Sequence, residues 1–92
     1  MSASVSIKST SRSERVVEYR LNGIFQDSVL IDFEKDTYFD NDVFTVKTWY
    51  DTNEPYSFNS VEKDMEFSNI PEARKEMRKR CLNWEKKFNS LN

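Results

Sequence analysis

The sequence contains no histidine, one cysteine, one glycine and two prolines in 92 residues. Because histidine is missing, imidazole-based acid–base catalysis and histidine ligation of metals are excluded. A single cysteine excludes a disulfide within the chain, which suits a reducing compartment. Since Gly23 is the only glycine, most turns must be formed by Asp, Asn and Ser residues.

Long apolar runs are also missing. The longest purely apolar stretch is Val29–Ile31, whereas a helix needs about 20 apolar residues to cross a bilayer. Residues 1–13 are rich in serine and lack the apolar centre of a secretory signal. We therefore expect no membrane association and a cytoplasmic location, which is the host cytoplasm if the chain is viral.

Length and composition predict one small domain over residues 1–92. Hydrophobic residues make up 37% of the chain and aromatic residues 14%, which is more than disordered segments usually carry. A core of this size is near the lower limit of self-sufficiency, so a homodimer is an open alternative. Residues 1–13 are expected to form either a flexible arm or an edge strand.

Several segments between residues 15 and 67 alternate apolar and polar side chains, as half-buried β-strands do. Asn22–Gly23 and the segment Asp40–Asp42 carry turn residues and predict two connections. One or two short strands are predicted between residues 56 and 67, ending at Phe67 with acidic side chains at every second position. The residues expected on buried strand faces are Val17, Tyr19, Leu21, Val29, Ile31, Phe33, Phe44, Val46, Thr48 and Tyr50.

Residues 70–91 are predicted to form an amphipathic C-terminal helix. Asn69 is a suitable N-cap, Pro71 fits the first turn, and Glu72 complements the positive end of the helix dipole. The apolar stripe has helical spacing, and its members are Ile70, Ala73, Met77, Cys81, Trp84, Phe88 and Leu91. The predicted fold is α+β: an antiparallel sheet of four or five strands with this helix packed on it.

No pattern typical of catalysis or metal binding is present. Cys81 falls on the apolar stripe of the predicted helix and is expected to be a buried, unreactive thiol. Asp40 and Asp42 are explained by turn formation, because a calcium loop also needs a glycine and a closing glutamate at fixed positions. We therefore predict a protein that is not an enzyme and has no cofactor, metal or small-molecule substrate.

Charge is segregated along the chain, although the net charge is only −2. Residues 25–70 carry eleven acids and three lysines, whereas residues 71–92 carry seven Lys/Arg and three glutamates. Two predicted strands hold acids at every second position, and these acids are predicted to form one partner-binding face. They are Asp32, Glu34, Asp36, Glu62, Asp64 and Glu66.

A row of carboxylates suits the basic groove of a protein that handles DNA or RNA. We therefore predict a non-catalytic inhibitor whose acidic face mimics nucleic acid and blocks such a partner. No family motif matches residue by residue, but in composition the chain resembles small early proteins of tailed bacteriophages: short, poor in glycine, free of histidine, and rich in Asp, Asn, Lys and aromatic residues. That resemblance implies a phage-encoded anti-restriction inhibitor of a host restriction or nuclease component.

Other interpretations of the same patterns stay open. The outer face of the helix could bind nucleic acid directly, through Lys75, Arg78, Lys79 and Lys86. The acids could instead form a solvated surface without a partner, and exposed apolar residues such as Leu82 or Trp49 could support self-assembly.

Overall fold

The computed structural model describes residues 2–52, 59–60 and 62–91, with the backbone alone described at residues 51–52 and 59–60. It contains six strands and one helix within these residues. In chain order, the elements are β1 (Ala3–Ser11), β2 (Glu14–Leu21), β3 (Ile24–Tyr38), β4 (Asn41–Thr52), β5 (Asn59–Ser60), β6 (Met65–Phe67) and α1 (Ile70–Asn89).

All strand pairs are antiparallel, and the strands occupy five positions in the order β1-β2-β3-β4-β5. The short strand β6 pairs with β4 on the same side as β5. Helix α1 packs across one face of the sheet and contacts β1, β2, β3, β4 and β6. The predicted α+β fold with a C-terminal helix on an antiparallel sheet is confirmed.

The strand alternation places the apolar side chains under the helix. Val17 of β2 lies opposite Val29 of β3, which in turn lies opposite Tyr50 of β4. Tyr50 packs against Trp84 and Phe88 of α1, with ring centroids 5.6 and 6.5 Å apart. Burial raises the pKa of Tyr50 to about 12, since a phenolate is poorly stabilised away from water.

Helix α1 begins as the sequence predicts. The Asn69 side chain accepts a hydrogen bond from the Glu72 backbone N–H at 2.9 Å, and Pro71 lies in the first turn. Five of the seven predicted stripe residues are buried, whereas Ile70 and Leu91 at the ends are exposed. The sequence did not predict the burial of Arg80, which is only 4% exposed.

The hairpin between β3 and β4 is the longest among the described strands, and its residues 34–42 are exposed. Its turn has positive φ at Phe39 (49°) and Asp40 (66°), one residue earlier than the predicted Asp40–Asp42 turn. The predicted Asn22–Gly23 turn is present, with φ of 53° and 79°. Phe39 is 97% exposed, so its left-handed conformation is not compensated by packing.

The one or two short strands predicted between residues 56 and 67 are observed as β5 (Asn59–Ser60) and β6 (Met65–Phe67). Glu62, Lys63 and Asp64, which the prediction placed in a strand, are not in one. Residues 53–58 and Val61 lie outside the described residues. The expected alternation of acids from Glu62 to Glu66 is therefore wrong, because the backbone between them is not extended in a ladder.

Candidate protein-binding surface

The face of the sheet opposite α1 is not covered by any element among the described residues. Antiparallel sheets commonly keep one face in water. Because Ile31 and Phe33 point to the helix, the neighbouring side chains Asp32 and Glu34 point to this open face. The acids of β3 at positions 32 and 34 therefore lie on the open face.

Strand register brings five carboxylates together on the open face. Asp32 lies opposite Glu14 of β2, and Glu34 and Glu66 lie on either side of Thr45 in β4. Asp36 follows one pleat beyond Glu34, about 6.6–6.8 Å along the strand. We call this set the acidic patch: Glu14, Asp32, Glu34, Asp36 and Glu66.

One cation among the described side chains, Lys47, lies within the acidic patch. Its Nζ is 3.2 Å from Glu34 Oε2, and it lies opposite Asp32 in the ladder. The hydrogen bond and charge of Glu34 raise the pKa of Lys47, and Asp64 and Asp32 add to this effect. Lys47 therefore neutralises one carboxylate and leaves the patch strongly negative.

Asp32 is the most constrained member of the acidic patch. The Asp32 carboxylate accepts a hydrogen bond from the Trp49 side chain. Its Oδ1 atom is nevertheless buried without a hydrogen-bond partner among the described residues. Burial raises the pKa of Asp32, and the charges of Glu34 and Glu14 raise it further. The free energy of unfolding thus includes an unfavourable contribution from this ionised carboxyl at neutral pH.

The other half of the open face has paired charges and an apolar row. Glu18 forms ion pairs with Arg20 and, at 3.6 Å, with Lys8. The hydrogen bond and charge of Arg20 lower the pKa of Glu18, and Lys8 adds to this effect. Beside this cluster, Val16, Leu30 and Trp49 form a row across β2, β3 and β4 and are all half-buried. The row borders the acidic patch and offers apolar contact area.

The structure brings together four of the six acids predicted from the sequence, which are Asp32, Glu34, Asp36 and Glu66. Glu62 lies on the helix side, where its carboxylate accepts hydrogen bonds from Thr48 Oγ1 at 2.9 Å and Trp84 Nε1 at 3.0 Å. Asp64 is exposed and close enough to Lys47 to affect its pKa. Glu14 was missed because its membership depends on cross-strand register.

The four basic residues predicted on α1 are all exposed and line three different depressions. Lys75 and Lys79 line a depression with Phe67, Glu72 and Glu76. The two other basic residues lie elsewhere: Arg78 borders a groove toward β1, and Lys86 lies near Glu62 and Lys87.

Comparisons with known proteins do not assign a function to this chain. No protein-family model, curated protein or solved structure matches the chain. In the part of the chain that is described, no helix has the length and apolarity required to cross a membrane. Across the same residues, no group of three or more Cys, Asp or Glu side chains is arranged to hold a metal ion.

Proposed function

We propose that this protein is a non-catalytic binding protein whose acidic patch occupies the basic, nucleic-acid-binding surface of a partner protein and blocks it. The observation that carries the proposal is the strand register, which gathers Glu14, Asp32, Glu34, Asp36 and Glu66 on the uncovered face. A decoy of this kind replaces phosphates by carboxylates and needs no reaction chemistry. A host restriction or nuclease component is the class of target that fits.

The charge pattern supports association with a basic groove. Carboxylates on β3 repeat every 6.6–6.8 Å or so, which gives a regular line of negative charge. A single-signed patch attracts an oppositely charged surface over several ångströms and speeds encounter, and salt weakens this attraction. Binding should therefore be fast and strongly dependent on ionic strength.

The apolar row supports a stable complex after the encounter. Interfaces usually combine a polar rim with an apolar or aromatic centre. Val16, Leu30 and Trp49 lie next to the acidic patch on the same face. A partner that covers both would bury an indole ring as well as satisfy the carboxylates.

Displacement of DNA from purified target proteins tests the proposal. The panel consists of restriction endonucleases and other nucleases with basic DNA sites, each bound to fluorescein-labelled duplex DNA. Added protein should release the DNA from at least one panel member, with a fall in anisotropy that weakens as salt rises.

Matched variants connect the effect to the acidic patch. Asp36→Asn with Glu66→Gln removes two patch charges, whereas Glu72→Gln with Glu85→Gln removes two charges on α1. We expect the patch variant to lose about tenfold in affinity and the helix variant to match the original protein. Displacement from no panel member, or equal displacement by both variants, would contradict the proposal.

Direct nucleic-acid binding is the second candidate, and the exposure of Lys75, Arg78, Lys79 and Lys86 favours it. The same assay without a panel protein separates the two candidates. A salt-sensitive rise in the anisotropy of DNA alone would support the helix, while unchanged anisotropy would leave the acidic patch as the better candidate.

A further inference from the structure

A groove of about 360 Å³ separates strand β1 from helix α1 at the edge of the sheet. Met77 and Cys81 of the helix are buried at the groove, and Ile7 and Leu82, also in its lining, are 39% and 52% exposed. Its walls thus combine well-packed core atoms with apolar side chains that water still reaches. Such a groove suits an apolar side chain of an incoming ligand.

The same groove has a positively charged border. Arg74 and Arg78, one helical turn apart on α1, line it together with Arg15 of β2. Arg15 also holds the β1–β2 connection, since its Nη1 donates to the backbone carbonyls of Ser11 and Glu14 at 2.7 and 2.8 Å. Within the described residues, neither Arg74 nor Arg78 takes part in an ion pair, so both guanidinium groups are available for an anionic partner.

The groove also lies along a free strand edge. Strand β1 is terminal in the described sheet. The Ser2 carbonyl accepts a hydrogen bond from the Asn22 backbone N–H, at 2.6 Å, so the backbone groups of alternate residues from Ser2 onward point to β2. By this alternation, Val5, Ile7 and Ser9 present their N–H and C=O groups outward, and their side chains lie on the helix side.

We infer that this groove binds an extended, acidic segment of a partner protein, which adds to β1 as a further strand. An added strand paired with Ile7 would direct every second side chain into the groove. One apolar side chain would contact Ile7, Met77 and Leu82, and acidic residues two positions before and after it would meet the arginines. A second copy of this chain fits poorly, because two-fold pairing of β1 would bring the arginines of both copies together.

The groove is a site distinct in location and charge from the acidic patch. The groove opens at the β1 edge on the helix side, whereas the patch lies on the opposite face of the sheet. The two surfaces carry opposite charge. One molecule could therefore hold an acidic strand and a basic surface at the same time.

The first experiment uses the capped heptapeptide Thr-Glu-Thr-Leu-Thr-Glu-Thr as the probe, titrated to low-millimolar concentration into ¹⁵N-labelled protein. We expect saturable chemical-shift changes confined to the amides of β1 and of residues 74–82. Three comparison probes are used: the peptide with lysine at both glutamate positions, the peptide N-methylated at the amides that would face β1, and a seven-residue oligothymidylate.

Matched protein variants test the charged border. Arg74→Gln with Arg78→Gln should weaken peptide binding at least about tenfold. Lys75→Gln with Lys79→Gln removes the same charge from the other flank of α1 and should leave binding unchanged. The patch variant Asp36→Asn with Glu66→Gln should also bind the peptide normally, which separates this inference from the proposed function.

Several outcomes would overturn the inference. These are no saturable change at millimolar peptide, shifts outside the groove, or equal binding of the lysine or N-methylated peptide. Equal binding of the oligothymidylate would identify a phosphate site instead of a strand site. Concentration-dependent shifts at β1 without any peptide would identify a second copy of the chain as the occupant.

Discussion

Replacing Arg80 by methionine should strongly destabilise the fold while leaving its surfaces unchanged. The Arg80 side chain is 5% exposed and lies between two carboxylates: its Nε is 2.8 Å from Glu76 Oε2 and 3.2 Å from Glu62 Oε2. The guanidinium also donates to Thr48 Oγ1 at 3.0 Å and to the Lys63 backbone carbonyl at 2.7 Å. Arg80 thereby ties helix α1 to strand β4 and to the segment before β6.

The expected loss follows from these contacts. Removing one partner of a buried ion pair costs about 3–5 kcal/mol, because the remaining charge stays poorly solvated. The Glu62 and Glu76 side chains are 23% and 11% exposed, so water reaches both and the lower end of the range applies. We expect a loss of about 3 kcal/mol, which for a domain of this size lowers Tm by about 12 °C or more.

Urea denaturation followed by tryptophan fluorescence measures this loss. Trp84 donates its indole N–H to Glu62 and is a direct probe of the region. The denaturation slope should stay the same, since the unfolded surface area does not change. Lys79→Gln, at the exposed neighbouring position, is the control and should leave the midpoint unchanged.

A double-mutant cycle with Glu76→Gln checks the cause. Glu76→Gln should cost less free energy of unfolding in the Arg80→Met protein than in the original, because its partner has already been removed. A loss below about 1 kcal/mol for Arg80→Met, or equal costs of Glu76→Gln in both backgrounds, would refute the reasoning.

Three further predictions concern single side chains. The raised pKa of Asp32 means that its ionisation opposes folding. The free energy of unfolding of Asp32→Asn, relative to that of the original protein, should therefore increase as pH rises from about 3 to 7. A difference between the two proteins that stays constant with pH in urea titrations would contradict this. Phe39→Gly should raise the free energy of unfolding by about 1 kcal/mol, because glycine accepts the positive φ and removal of the exposed ring costs no packing. Phe39→Ala should not raise it, since alanine keeps the Cβ atom that disfavours a positive φ. Cys81 is buried, and burial raises the pKa of its thiol. The thiol should therefore react with a thiol reagent only after the protein unfolds, and about a hundredfold faster in Arg80→Met than in the original protein. Rapid reaction in the original protein would contradict its burial.

Local patterns in the sequence predict much of the fold. The helical stripe, the Asn69 cap and the strand alternation around Val29 and Val46 depend on neighbours within a few residues, and the structure confirms them. The burial of Arg80 could not be predicted in this way. Its position beside the stripe resembles that of Arg74, which is exposed, and the difference depends on Thr48, Glu62 and Lys63 from distant segments.

The acidic patch shows why register could not be obtained from the sequence. Counting outward from the Asn22–Gly23 turn pairs Leu21 with Ile24, and the same count would pair Glu14 with Ile31. A bulge between Tyr19 and Arg20 shifts the register by one residue and pairs Glu14 with Asp32 instead. The extra residue, Gln26, lies in β3, so Glu14 stays on the face opposite Val17 and Tyr19, and the bulge decides that Asp32 is the residue it meets.

The contrast between the two halves of the open face argues for a function of the acidic patch. Solubility alone is served by mixed charges, and the half around Glu18 uses them, with Lys8 and Arg20 as partners. In the other half, Glu14 lies directly opposite Asp32, an arrangement that destabilises a sheet. Burial raises the pKa of Asp32, and the charges of Glu34 and Glu14 raise it further. A basic partner would relieve the repulsion, so the free energy that the patch costs in the isolated protein would be regained on binding.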